Sequence, residues 1–298
     1  MKSSIARKSL LLLSIFSCPD LSGISMVYNF RIAQITKQPI MQQKSQKNHL
    51  FVALLFDQFR KKHSGVYQNY FGGLGSFIYD FKPYYFRTDF AASYIKEKDN
   101  GVVTFSGTET DDILFTLGRN FILKQNDVIT LSGLFGVPTH KIYRLQHADF
   151  GYSQIGTGIQ LDGAHAFRCM RSVMYGARYI YFVPRKAFDN FDQKHTFTLG
   201  NITDLLLAFS KDWQKKGVEL GYTFRTRFGA HSSSPFDDIE KKTDYIRSNF
   251  YGVYKYKFSI RNLSNRFLFY GAYGFDHSPK FFGCKYIVTF WASWNLSF

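Results

Sequence analysis

The chain has 298 residues, a formal net charge of +16, 33 Phe and 20 Tyr, and 45% of it is hydrophobic. Its basic residues are spread along the chain, without a recognition helix or a zinc-finger spacing, which argues against nucleic acid as a partner and for anionic lipid, surface polysaccharide or anionic solutes. No run beyond the N-terminus reaches the roughly 20 apolar residues of a membrane-crossing helix, and abundant aromatics without long apolar runs are the pattern of a barrel that crosses with strands.

The chain opens "MKSSIARKSLLLLSIFSCPDLSG". Lys2, Arg7 and Lys8 precede a short apolar stretch, Ser9 to Ser17, and small residues follow. That order reads as a secretory signal peptide, cleaved between Ser17 and Ser25. Residues 1–25 are therefore expected to be a leader, the Gln- and Lys-rich stretch 26–48 a flexible arm, and 49–298 the folded body. Cys18 stands where a lipoprotein cysteine would, although Phe16 is bulky where that signal needs a small residue. Cys169 and Cys284 remain, and export permits a disulfide, but the topology below puts them at opposite ends of the molecule.

From residue 49 twelve candidate strands follow, at roughly 49–60, 72–81, 84–96, 111–123, 127–138, 152–167, 171–184, 194–210, 216–229, 246–260, 265–277 and 283–298. In the third, Tyr84, Phe86, Phe90 and Tyr94 share a face. Val173, Tyr175, Ala177, Tyr179 and Tyr181 do so in the seventh, and Val218, Leu220, Tyr222, Phe224 and Phe228 in the ninth. The connections after strands 2, 4, 6, 8 and 10 are short ("KP", "KQN", "RCMR", "KDWQKKG", "RNLSN"), whereas those after odd strands are mostly longer, such as "EKDNGVVTFSGTETDD" and "GAHSSSPFDDIEKKTD". Short turns at one end and long loops at the other are expected of a closed, antiparallel, up-and-down transmembrane β-barrel. An open edge in lipid would leave backbone groups unpaired, so the sheet must close. An even strand number puts both termini on the periplasmic side.

The last strand alternates to the final residue: Phe298, Leu296, Trp294, Ala292, Phe290, Val288 and Tyr286 fall on one face. Phe290, Trp294, Leu296 and Phe298 resemble the closing strand of bacterial outer-membrane proteins, whose final Phe is read by the barrel assembly machinery. The resemblance covers 49–298 and is to the outer-membrane barrel class as a whole. It implies a Gram-negative outer-membrane location, with lipid and lipopolysaccharide as surroundings.

The opposite faces point into the lumen. They carry Arg87, Arg178, Arg225, Arg227, Lys255, Lys257 and Lys285, outnumbering Asp89, Asp162, Asp204 and Glu219. Arg225 and Arg227 are two apart and so point the same way, as do Lys255 and Lys257. Rings of Arg and Lys attract anions in a narrow pore, and by this lining charge the chain is similar to small outer-membrane channels for acidic sugars. The alternative is that the cations pair with the acids and fill the lumen.

The expected function is passage of small, anionic solutes. The alternatives are a structural or adhesive barrel whose loops bind partners, and a lipid hydrolase. For the last, His231 and Ser233 in "AHSSSP" are similar to the His-x-Ser pairing of outer-membrane lipases and deacylases, where an imidazole activates a hydroxyl. No third orienting group accompanies them, and Ser, Gly and Pro beside His are ordinary loop composition; the chain is read as a non-enzyme. The acidic clusters Glu109, Asp111, Asp112 and Asp237, Asp238, Glu240 lack calcium-loop spacing, and His140 and His147 lack zinc spacing. No metal or cofactor is expected.

Overall fold

The computed structural model describes residues 48–61, 66–99, 101–110, 113–124, 126–139, 155–167, 171–188, 194–198, 200–229, 231–232, 245–260, 263–277 and 284–297. The expected leader and arm thus lie outside the described residues, apart from Asn48.

Period-two sequences rich in Tyr, Phe and Val give strands, in chain order β1 (Asn48–Lys61), β2 (Val66–Phe81), β3 (Tyr84–Asp99), β4 (Val102–Thr110), β5 (Ile113–Lys124), β6 (Asp127–Val137), β7 (Gly156–Phe167), β8 (Arg171–Phe182), β9 (Arg185–Phe188), β10 (Lys194–Thr198), β11 (Asn201–Asp212), β12 (Lys216–Phe228), β13 (His231–Ser232), β14 (Tyr245–Ile260), β15 (Leu263–Asp276) and β16 (Cys284–Ser297). One sheet runs β2-β1-β16-β15-β14-β12-β11-β8-β7-β6-β5-β3-β4, and β2 also pairs with β3, which closes it. β4 pairs with the far half of β3, and β5 with its near half, so β4 and β5 are one interrupted strand and twelve strands make the wall. The first and last strands zip from His49↔Ser297 to Lys61↔Cys284. Wall strands of 11 to 16 residues exceed the roughly 9–11 needed to cross a bilayer at a tilt.

The expected loop at 97–110 is not a loop. β3 and β4 form a hairpin around Gly101, whose φ of 89° suits a residue without a side chain. Likewise β9, β10 and β13 make a small three-stranded sheet at the same long-loop end. The β1–β2 connection shrinks to four residues, 62–65, because β2 starts earlier than its alternation suggests.

Alternation along the wall separates two surfaces. On β1, Leu54 is 62% exposed and Leu55 1%; on β12, Leu220 is 67% exposed and Glu219 1%. Phe71, Phe90, Ile159, Phe250, Phe269 and Phe290 continue the outward apolar surface, which would cost stability in water and is stable in hydrocarbon. Near the short turns aromatic rings gather: Tyr79 on Phe81 at 5.7 Å and Phe81 on Tyr84 at 5.8 Å. Arg119 lies over Tyr84 and Phe121, at 5.5 and 5.0 Å from their centroids, and Lys211 over Trp213 at 5.1 Å. Rings with snorkelling cations mark the boundary between hydrocarbon and headgroups.

Two inward glycines make room for tyrosines that cross the lumen wall. A Cβ at Gly118 would stand 2.3 Å from the Tyr85 ring, which passes over it so that its hydroxyl reaches Ser132 Oγ at 2.8 Å. A Cβ at Gly221 would stand 2.1 Å from the Tyr251 ring, whose hydroxyl donates to Glu219 Oε1 at 3.2 Å.

Candidate functional site

Strand register decides which inward charges meet. Arg178 on β8, Asp204 on β11, Arg225 on β12, Arg247 on β14 and Asp276 on β15 are successive cross-strand partners, so five adjacent strands contribute one row of inward charge. Directly opposed residues lie close enough to pair across strands. Arg178 donates from Nε and Nη2 to Asp204 Oδ2 at 2.9 and 2.5 Å. From the other side Arg225 donates from Nε to Oδ1 at 2.6 Å and from Nη2 to Oδ2 at 3.1 Å. Arg247 holds Asp276 by a parallel fork, 2.5 and 3.0 Å. Such bidentate, charge-assisted bonds are the strong ones, and the row is buried throughout.

The same row continues toward the short turns through Gln160, Ser132, Gly118 and Tyr85 to Asp80. Because wall strands tilt in a closed barrel, the row climbs from the Lys82–Pro83 turn to the long-loop end. Away from it, Arg87 binds Asp89 at 2.8 Å within β3. Lys255 Nζ lies 2.8 Å from Glu219 Oε2, both side chains 1% exposed or less. Lys257 Nζ lies 3.5 Å from Asp212 Oδ1 near the short turns.

An apolar sector adjoins this charged one and shares β14 and β15 with it. The Tyr270 and Trp291 rings stack at 4.8 Å and 8°, Tyr251 stacks on Tyr270 at 5.6 Å, and Phe51, Leu55, Leu74, Leu268 and Ile287 are buried with them.

The expected lumen residues are therefore placed as follows. Arg87, Arg178, Arg225, Arg227 and Lys255 are inward and buried, Lys257 is half-buried, and the Lys285 side chain lies outside the described residues. Of the four acids, Asp89, Asp204 and Glu219 receive the cations named above, whereas Asp162 accepts from Gln160 Nε2 at 2.8 Å. The closing-strand residues Phe290 and Trp294 are on the outward face; Leu296, expected there too, is 2% exposed where it opposes Leu50 at the rim, and Phe298 lies outside the described residues. Sequence reasoning missed Arg247, Arg266 and Asp276. All three share inward parity with their neighbours, Arg247 with Lys255 and the other two with Leu268 and Tyr270, so the signal was present.

His231 lies in β13, but its side chain and all of Ser233 lie outside the described residues, as do Cys169, Asp111, Asp112, His140, His147, Asp237, Asp238 and Glu240. A different Ser–His contact is present. Ser248 Oγ is 2.6 Å from His277 Nε2 and 2.7 Å from the Tyr222 hydroxyl. Ser248 is buried under these two rings, so the contact joins β12, β14 and the end of β15 rather than presenting a nucleophile.

The fold has solved counterparts. An outer membrane channel from Pseudomonas putida F1 superposes with a TM-score of 0.68 over 86% of this chain and 97% of its own, at 10% sequence identity. The translocator domain of the autotransporter NalP from Neisseria meningitidis gives 0.52 over 90% and 94%, at 9% identity. No family model matches the chain, and no curated protein does. At such identities the likeness is one of architecture: this chain is a closed, twelve-stranded antiparallel barrel with the fold of outer-membrane β-barrels.

Proposed function

We propose that the protein is a bacterial outer-membrane channel that passes small anionic solutes. One observation carries the reading: an apolar-walled closed barrel brings Arg87, Arg178, Arg225, Arg227, Arg247 and Lys255 onto a single inward surface. Inward guanidinium groups suit carboxylate and phosphate. The aromatic and cationic belt at the short turns supports a membrane position, and the Pseudomonas barrel of the same architecture is described as a channel. Both described chain ends lie at the short-turn end, which this reading makes periplasmic; outer-membrane lipid, with lipopolysaccharide at the long-loop end, surrounds the wall, and the terminal residues Phe290, Trp294, Leu296 and Phe298 address the barrel assembly machinery.

Arg87, Arg178, Arg225, Arg247 and Lys255 are each bonded to a buried acid, so an entering anion must compete with those acids. That favours a second reading, a closed structural or adhesive barrel. Planar-bilayer recording of the folded protein separates the two. Anion-selective current, with its selectivity reduced in Arg225→Gln with Arg227→Gln, is the expected result. Cation preference in the native protein overturns the anion channel, and silence from folded barrels selects the structural one.

A further inference from the structure

We infer that Asp204 is a resident counter-ion occupying the lumen's anion site, and that the ligand class this site takes is a carboxylate. The inference rests on the channel reading for its function, but not for its chemistry. Here two guanidinium groups converge on one acid, and they come from different strands. Arg178 and Arg225 are the cross-strand neighbours of Asp204 on its two sides, so the backbone itself aims both forks at one point. Four nitrogen–oxygen bonds of 2.5 to 3.1 Å fall on that carboxylate, three on Oδ2 and one on Oδ1. Arg247 forks Asp276 across strands as a single pair, and two other inward pairs are built differently. Arg87 binds an acid two residues along its own strand. Lys255 meets Glu219 as a point charge, without the planar match that a fork offers.

The side chain that fills the site is short, and its carboxylate is what the two forks hold. A solute carboxylate arriving from either mouth offers the same two oxygens. It can exchange with Asp204 while both guanidiniums remain bonded, which avoids the large penalty of a buried, uncompensated charge. When Asp204 is seated, the guanidinium groups of Arg178 and Arg225 are both occupied. When a solute takes its place, the Asp204 carboxylate is released into the lumen and must find water or another cation. The contact is thus self-competitive: the barrel carries its own competing carboxylate, tethered to β11.

The test uses the full chain with Asp204→Ala, its folding checked by heat-modifiable migration. Removing the carboxylate leaves a space of the size and charge of formate. Thermal unfolding is followed in sodium formate and in sodium chloride at equal ionic strength. The expected result is that formate restores much of the lost stability and chloride does not, while Glu219→Ala, an equal charge change elsewhere in the lumen, shows no formate preference. In bilayers Asp204→Ala should conduct more than the native barrel, by about threefold or more if the paired row limits the current, and formate should lower its chloride current. Should Asp204→Ala fail to fold, Asp204→Asn keeps the volume and the same two salts are compared. Equal effects of formate and chloride in the folded variant overturn the anion site. Formate-selective stabilisation without any current keeps the site and removes the channel; current without formate selectivity does the opposite.

Discussion

Along β8, β11, β12 and β14 the inward face carries Arg178, Asp204, Arg225 and Arg247 in one row, whereas along β15, β16 and β1 it carries Tyr270, Trp291 and Leu55 in another. The two sectors occupy neighbouring strands around the same lumen and obey the same alternation. Their energetics differ. Burying rings and aliphatic groups stabilises by area, at about 25 cal/mol per Å², and each group contributes whatever its neighbour is. A buried ion pair gains little over an apolar pair of equal volume, yet losing one member is severe. The apolar sector is thus suited to holding the barrel together, and the charged sector to responding when a competing charge arrives.

That contrast breaks or sharpens with substitutions. The largest effects come from a buried ion pair beside the charged row and from the centre of the aromatic stack. Glu219→Leu removes the carboxylate 2.8 Å from the buried Lys255 ammonium and should cost about 3–5 kcal/mol, measured by urea unfolding in detergent. Adding Lys255→Met should recover most of that loss. Trp291→Ala, which removes a ring stacked at 4.8 Å on Tyr270, should also cost about 3–5 kcal/mol, and Tyr270→Leu should not recover it. If the second substitution rescues in both sectors or in neither, the distinction fails.

A smaller effect tests the seam between them. Gly221→Ala puts a methyl where the Tyr251 ring lies, and overpacking of this kind costs about 1–3 kcal/mol. Tyr251 belongs to the aromatic stack and its hydroxyl reaches Glu219, so Gly221→Ala with Tyr251→Phe should be less than additive. Additive losses in unfolding would show the sectors to be independent. The smallest effect belongs to the rim, where His165 Nδ1 and Asp127 Oδ1 lie 2.5 Å apart with side chains 39% and 30% exposed. Asp127→Ala should cost no more than about 1 kcal/mol, since water and salt screen partly exposed pairs; a loss equal to that of Glu219→Leu would mean the lumen gives its pairs no special environment.

Much of the wall was legible because lipid enforces a strict rule. On β12, Val218, Leu220 and Phe228 all face hydrocarbon, and Glu219, Arg225 and Arg227 all face inward, so the parity of one residue gives that of the rest. The β4 and β9 strands were not legible, and the expected strand 194–210 is in fact two, β10 and β11, parted at Gly200. A hairpin that rises beyond the membrane has no single apolar face, so "GVVTFSGTETDD" reads as a loop. Parity also says which charges are inside without saying who meets whom. That Arg178 and Arg225 share Asp204 while Asp162 takes Gln160 depends on the stagger of each strand against the next, and no single strand encodes it.

The pairing of β1 with β16 has a consequence for how the molecule comes into being. His49 opposes Ser297, so nearly the whole chain separates two residues that must lie side by side. Chain-closure entropy grows only slowly with length, by about 0.6 kcal/mol per doubling, so distance is not the main obstacle; timing is. The first strand to emerge waits for the last, and meanwhile the sheet has two raw edges that invite any other chain to add to it. A product cut short before Cys284 would not be a narrower cylinder. It would be an open ribbon, with every hydrogen-bonding group that β1 gives to β16 left for a stranger.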